Sequence, residues 1–136
     1  MLEFHKALYG EFIVIMIKSD DYTNGYINGT KLCKDGNKIL RDWNKLDKTT
    51  ELLKDFNIFL RCDDQHFGEF NVEFNIRTQN KTEFDKLIYG TYFHPDIIVH
   101  LASWISNEFA YKVSKIVNNY IVIDFLNEDK IFILFL

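Results

Sequence analysis

The chain has 136 residues, 47% of them hydrophobic, a net charge of −4 and only two cysteines, Cys33 and Cys62. It is long enough to bury a core without covalent staples and too apolar for intrinsic disorder, while two cysteines exclude a disulfide scaffold or a four-cysteine zinc site. Net acidity excludes indiscriminate nucleic-acid binding, because affinity for phosphate follows local positive potential.

Met1 to Gly10 lacks a basic stretch followed by an apolar core, and no apolar run is long enough to span a bilayer, so a soluble intracellular protein without a membrane partner is expected. The run Phe12-Ile13-Val14-Ile15-Met16-Ile17, within Glu11 to Lys18, predicts a buried strand. Asp20 to Gly25 reads as a turn, and Tyr26-Ile27 as the short returning strand of a hairpin. Asn28 or Thr30 is placed to cap a short helix reaching Lys34, which Asp35-Gly36-Asn37 ends. A second helix is expected from about Lys38 to Leu46, burying Ile39, Leu40, Trp43 and Leu46. With Asp47 to Thr49 as a boundary, a third follows over Thr50 to Arg61, burying Leu52, Leu53, Phe56 and Phe59 or Leu60.

From Phe70 the period changes to two: Phe70, Val72, Phe74 and Ile76 alternate with Asn71, Glu73, Asn75 and Arg77. A polar stretch, Thr78 to Asp85, precedes a return strand from Leu87 to Phe93, so residues 70 to 93 read as a hairpin with a long polar tip, the shape called a wing in DNA-binding proteins. His94-Pro95-Asp96 starts a helix with an Ile97, Ile98, Leu101, Trp104 and Ile105 stripe, and Ser106 or Asn107 caps another to about Tyr120, burying Phe109, Val113, Ile116 and Val117. The ending Ile131 to Leu136 is an aggregation hazard as a free tail; it must form a strand, join a partner or derive from an altered reading frame. A single domain over residues 1–136 is expected.

Enzyme motifs are missing: there is no Gly-rich phosphate loop, nucleophile elbow or paired-histidine metal motif, so no catalytic residue, metal or cofactor is assigned. Cys62 and His66 have ligand-like spacing without a second pair, Asp63 and Asp64 read as solvated, His94 and His100 as capping or packing residues, and Trp43 and Trp104 as core.

Charge is instead segregated. Lys31, Lys34, Lys38, Arg41, Lys45 and Lys48 recur three and four residues apart, the spacing of one helix face, although Asp35-Gly36-Asn37 should divide them between two helices. Residues 55 to 76 are acidic. Two short helices about a turn have the organisation of a helix-turn-helix, and Arg77, Gln79, Asn80, Lys81 and Lys86 give the wing cations and amides. These eleven residues form the expected DNA-binding set.

Several separated motifs resemble the KilA-N domain of large DNA viruses and phages, a relative of the APSES DNA-binding domains of fungal transcription factors. They are Tyr26-Ile27-Asn28-Gly29-Thr30-Lys31-Leu32-Cys33, Trp43, Gly90-Thr91-Tyr92-Phe93-His94-Pro95, and Ala102 to Phe109 with Lys112-Val113, covering roughly residues 10 to 120. The resemblance implies an α+β, winged-helix-like fold: a helix-turn-helix, a β-hairpin wing and two C-terminal helices on a small antiparallel sheet, binding DNA without a cofactor. Carried over by position, the DNA-facing residues are Lys38, Arg41 and Lys45 on the second helix and Gln79, Asn80 and Lys81 on the wing. Poxvirus members often add a RING domain, for which this sequence has too few cysteines and histidines. Codon-biased abundance of Ile, Phe, Asn, Lys and Asp fits an A+T-rich viral genome, acting in the cytoplasmic viral factory or nucleus of a host cell. Gly29 stands where Ala is common, which should weaken the first helix by about 1 kcal/mol, and Asn107 stands where Pro is frequent.

The function expected is thus a viral module for double-stranded DNA, with single-stranded DNA or RNA as weaker alternatives, using mainly phosphate contacts and limited base readout. The alternative is a protein-interaction or decoy module that keeps the fold and has lost DNA affinity, with a homodimer formed through the apolar C-terminus.

Overall fold

The computed structural model describes residues 2–63, 68–119, 122–126 and 131–135. Five strands, β1 (Glu3–Tyr9), β2 (Phe12–Lys18), β3 (Ile27–Asn28), β4 (Glu73–Ile76) and β5 (Gly90–Phe93), lie in the order β4-β5-β3-β2-β1, all antiparallel. Strands β6 (Val122–Leu126) and β7 (Ile131–Phe135) extend that sheet beyond β1, giving the C-terminal apolar segment strand pairing within its own chain. The helices are α1 (Gly29–Asp35), α2 (Leu40–Asn44), α3 (Asp47–Asp63), α4 (Glu83–Ile88), α5 (Pro95–Ile105) and α6 (Asn107–Asn119), so the class is α+β, as expected.

Strand β2 is apolar at consecutive positions because both of its faces are covered. Val14 and Met16 join Leu32, Phe93, Leu101, Val113 and Ile116, the contribution of α1, β5, α5 and α6 to one core. Ile15 and Ile17 join Phe4, Tyr26 and Tyr92 in a second cluster, closed by Phe84, Leu87 and Ile88 of α4. Strand β1 had no counterpart in the sequence reading; it pairs with β2 in continuous register from Glu3↔Lys18 to Tyr9↔Phe12.

The junction between α1 and β5 fixes the rest. Asn28 caps α1, its Oδ1 accepting from the Lys31 amide at 3.0 Å, while its Nδ2 donates to the Tyr89 carbonyl at 3.0 Å. Gly90 holds a φ of +144°, and a Cβ there would lie 2.5 Å from Asn28 Oδ1 and 2.8 Å from Thr30 Cβ. At Gly29 an alanine methyl would lie 2.7 Å from the Phe93 ring, so the helix-propensity cost of glycine accompanies a close approach of α1 to β5.

Four expectations need correction. Helix α2 has only five residues, so Lys38 precedes it and Lys45 is its C-cap; Ile39 and Leu46, expected inside, are 56% and 41% exposed. Helix α3 starts at Asp47 rather than after Thr49, leaving little room for a turn, and Phe59 is 55% exposed while Leu60 is buried. The wing is a short β4–β5 pair carrying helix α4 between its strands: Thr82 Oγ1 accepts from the Asp85 amide at 3.0 Å, and Leu87 and Ile88 are helical because their side chains close the second cluster. Trp43 is buried, but Trp104 is half-buried and lies under Lys38.

The last two helices start as expected. His94 Nδ1 accepts from the Asp96 amide at 3.0 Å, and Ser106 Oγ from the Phe109 amide at 3.0 Å. No helix among the described residues is long and apolar enough to cross a membrane.

Candidate nucleic-acid interface

Helix α1 is short and carries its apolar side chains, Leu32 and Cys33, into the core. Lys31 and Lys34 therefore fall on its outer side, where they meet α4. Thr30, Lys31, Lys34 and Asp35 line one wall of an open groove of about 490 Å³, and Glu83, Lys86, Leu87 and Tyr89 line the other. Three cations more than fifty positions apart in the chain at their extremes thus share one depression.

These lysines are not equivalent. The Lys31 ammonium is half-buried and doubly held, donating to Asp35 Oδ2 at 2.6 Å and to the Ile13 carbonyl at 3.3 Å. Lys86 stands 3.6 Å from Glu83 in a largely exposed i,i+3 pair, a weak restraint. Lys34 is exposed and has no carboxylate partner among the described residues.

A second, smaller groove of about 100 Å³ shares Thr30 and Tyr89 with the first and adds Asn75, Ile76, Arg77, Gly90 and Thr91. Here the Thr91 hydroxyl donates to Asn75 Oδ1 at 2.6 Å, and the Thr91 amide donates to Thr30 Oγ1 at 3.0 Å. Arg77 thus joins Lys31, Lys34 and Lys86 through adjoining walls. Asn75, Thr91 and Thr30 were not among the expected site residues. The period-two pattern nevertheless placed Asn75 on the same strand face as Arg77, which is the signal that marks it.

At the wing tip Gln79, Asn80 and Lys81 are exposed; Asn80 takes a φ of 55°, and the Lys81 amide donates to Asp85 Oδ2 at 3.3 Å. Lys38, Arg41, Lys45 and Lys48 are also exposed, around α2 and the start of α3. None of these seven lines either basic groove. The Lys38 ammonium sits 5.1 Å from the Trp104 ring centroid, and Lys48 lines a different, 500 Å³ groove between α3 and α5 with Leu46, Glu51, Asp55, His100 and Trp104. Asp64 and His66 lie outside the described residues, so the Cys62–His66 spacing has no geometry to compare.

Residues 7–122 match the family model of the KilA-N domain. A KilA-N domain-containing protein of Invertebrate iridescent virus 6 is 36% identical over 127 residues, which are 93% of this chain and 34% of that protein. One from Acanthamoeba polyphaga mimivirus is 36% identical over 118 residues, 87% of this chain and 23% of that protein. A fowlpox virus (strain NVSL) protein is 30% identical over 118 residues, 87% of this chain and 72% of its own length. The chain therefore spans about a third of the iridescent virus relative and less than that of the mimivirus one. No solved structure matches it.

Proposed function

Because this chain belongs to the KilA-N domain family, a family generally of DNA-binding domains, we propose that it is a viral duplex-DNA-binding module acting inside the infected host cell. Phosphates are held by cations of α1, α4 and the wing, helped by those around α2, and base readout is limited to the wing. The observation that carries this reading is the α1–α4 groove, where Lys34 and Lys86 converge although the protein as a whole is acidic. Three cations against the carboxylates of Asp35 and Glu83 leave this depression net positive, and Lys34, without a carboxylate partner among the described residues, is the cation there most available to a backbone phosphate. No cofactor or catalytic step is required.

Duplex affinity measured against salt tests it. About six phosphate contacts give a log–log slope of roughly −5, and a duplex that fails to bind at low salt sinks the proposal.

The second reading, a protein-interaction module with little DNA affinity, is favoured by exposed apolar side chains flanking α2 and on α3: Ile39, Leu46, Ile58 and Phe59 are 41–56% exposed. Replacing Ile58 and Phe59 by serine leaves duplex affinity unchanged if DNA is the ligand. Loss of a co-purifying protein together with undetectable duplex binding in the parent supports the second reading instead. Self-association through the C-terminal strands is a separate proposal, which light scattering decides.

A further inference from the structure

The groove between α3 and α5 shares no lining residue with the two basic grooves, and its chemistry is the reverse of theirs. It encloses about 500 Å³, and both tryptophans of the chain, Trp43 and Trp104, line it together with Leu52. Trp104 is half-buried, and its ring already receives an alkylammonium, the Lys38 Nζ at 5.1 Å. Lys38 does not line the groove, so that contact is made outside it. Glu51 and Asp55 line the α3 wall one helical turn apart, and neither carboxylate has an ion partner among the described residues. Like charges at that spacing repel each other. Against these two carboxylates the lining sets one lysine, Lys48, so negative charge is in excess. Thr49, in the first turn of α3, is 2% exposed. Its hydroxyl has no hydrogen-bond partner among the described residues and keeps an edge open to the groove.

We propose that this groove binds a linear aliphatic polyamine. The methylene stem lies along Trp104 and Leu52, the ammonium groups meet Glu51 and Asp55, and one of them donates to the Thr49 hydroxyl. Methylenes bury against aromatic and aliphatic surface that water would otherwise wet. An ammonium offers only donors, which suits two carboxylates and a hydroxyl with free lone pairs. Carboxylates a turn apart stand about 6 Å from each other along the helix, a separation that amines joined by a short methylene chain can match. An inorganic cation would satisfy the acids and gain nothing from the tryptophans. A single lysine side chain of a partner protein would bring one ammonium to two carboxylates. The proposal stands apart from the duplex-binding reading, and failure of either leaves the other intact.

Titration of the full chain with spermidine at low salt, followed by tryptophan fluorescence and calorimetry, tests it, because both tryptophans report on the groove. The expected result is a saturable fluorescence change with one-to-one stoichiometry. Glu51→Gln and Asp55→Asn each weaken binding about fivefold or more, whereas Glu11→Gln, at an exposed position outside the groove, changes it less than about twofold. Thr49→Val, which keeps the side-chain shape but lacks the hydroxyl, weakens it about threefold. Lys48→Gln, which removes the competing ammonium, tightens it about twofold. Thermal melts confirm that each variant folds, and two arms need no variant at all. Butylamine, with one ammonium, binds the parent about tenfold more weakly than spermidine, and Mg²⁺ at equal charge concentration does not displace spermidine. Absence of saturable spermidine binding at low salt overturns the inference, as does an equal loss on Glu11→Gln and Glu51→Gln. Displacement by Mg²⁺, or tighter binding of a peptide with a single lysine than of spermidine, overturns it as well.

Discussion

The α1–α4 groove and the stretch from Lys38 to Lys48 carry similar charge on different foundations. In the groove the cations stand on elements locked to the core: α1 is capped by Asn28, Asn28 also holds the Tyr89 carbonyl, and α4 packs Phe84, Leu87 and Ile88 against the sheet. Around α2 only Arg41 stands on the five-residue helix itself, with Lys38 before it, Lys45 at its C-cap and Lys48 at the start of α3, and the neighbouring Ile39 and Leu46 are exposed. Charge on a locked element can be placed to within the reach of one phosphate, which contributes register as well as affinity. Charge on a long side chain from a lightly anchored element contributes mainly to the general field, which salt screens. The two regions should therefore respond differently to mutation.

The largest effect is expected where the first region is built. Gly90→Ala forces a Cβ into the space of Asn28 Oδ1 and Thr30, at a φ that alanine rarely adopts. A loss of about 3 kcal/mol in urea unfolding is expected from strain and the broken cap together. A loss below about 1 kcal/mol would mean that the α1–β5 junction does not anchor the groove.

Next come the cations themselves. Lys34→Glu and Lys86→Glu should each weaken duplex binding about tenfold at low salt and reduce the magnitude of the salt slope by about one. Lys31→Met should weaken it less than about threefold, because its ammonium is already bound to Asp35 and the Ile13 carbonyl. Lys45→Glu should act uniformly on all duplex sequences. Equal effects at Lys31 and Lys34, read from fluorescence anisotropy, would erase the distinction between held and available cations.

The same contrast explains what could be read from the sequence. Local chemistry was legible: Asn28, His94 and Ser106 cap helices through their own side chains within a few residues, and the apolar run of β2 marks its burial on two faces. What depended on distant partners was not. Strand β1 mixes His5 and Lys6 with Phe4 and Ala7, and its pairing with β2 carries Phe4 and Ala7 into the two clusters on opposite faces of the sheet, a pattern that the polar residues obscure. Helix α4 was hidden in a polar tip, although Thr82-Glu83-Phe84-Asp85 has the spacing of an N-terminal cap. In the candidate site, the even spacing of the cations suggested one face, yet the groove pairs two of them with Lys86. Only the fold brings α4 to α1.

Thiol chemistry sharpens the comparison with the smallest expected effect. Cys33 lies in the anchored helix α1 and is buried, whereas Cys62 is exposed near the end of α3. Burial pushes the Cys33 thiol from its ordinary 9.0 up to about 12, so the folded protein keeps a proton that the unfolded chain releases. The stabilisation is complete below pH 9.0 and is lost as pH rises from there toward about 12. Above the ordinary thiol value the parent should lose about 1 kcal/mol more stability per pH unit than Cys33→Ala. The difference between the two proteins is the informative quantity, because burial also raises the Tyr92 hydroxyl and gives a decline of the same sign in both. At neutral pH a thiol reagent should modify Cys62 promptly and Cys33 only as the protein unfolds. Prompt reaction of both would mean that α1 opens in the native state, and the groove it carries would then be no better anchored than α2.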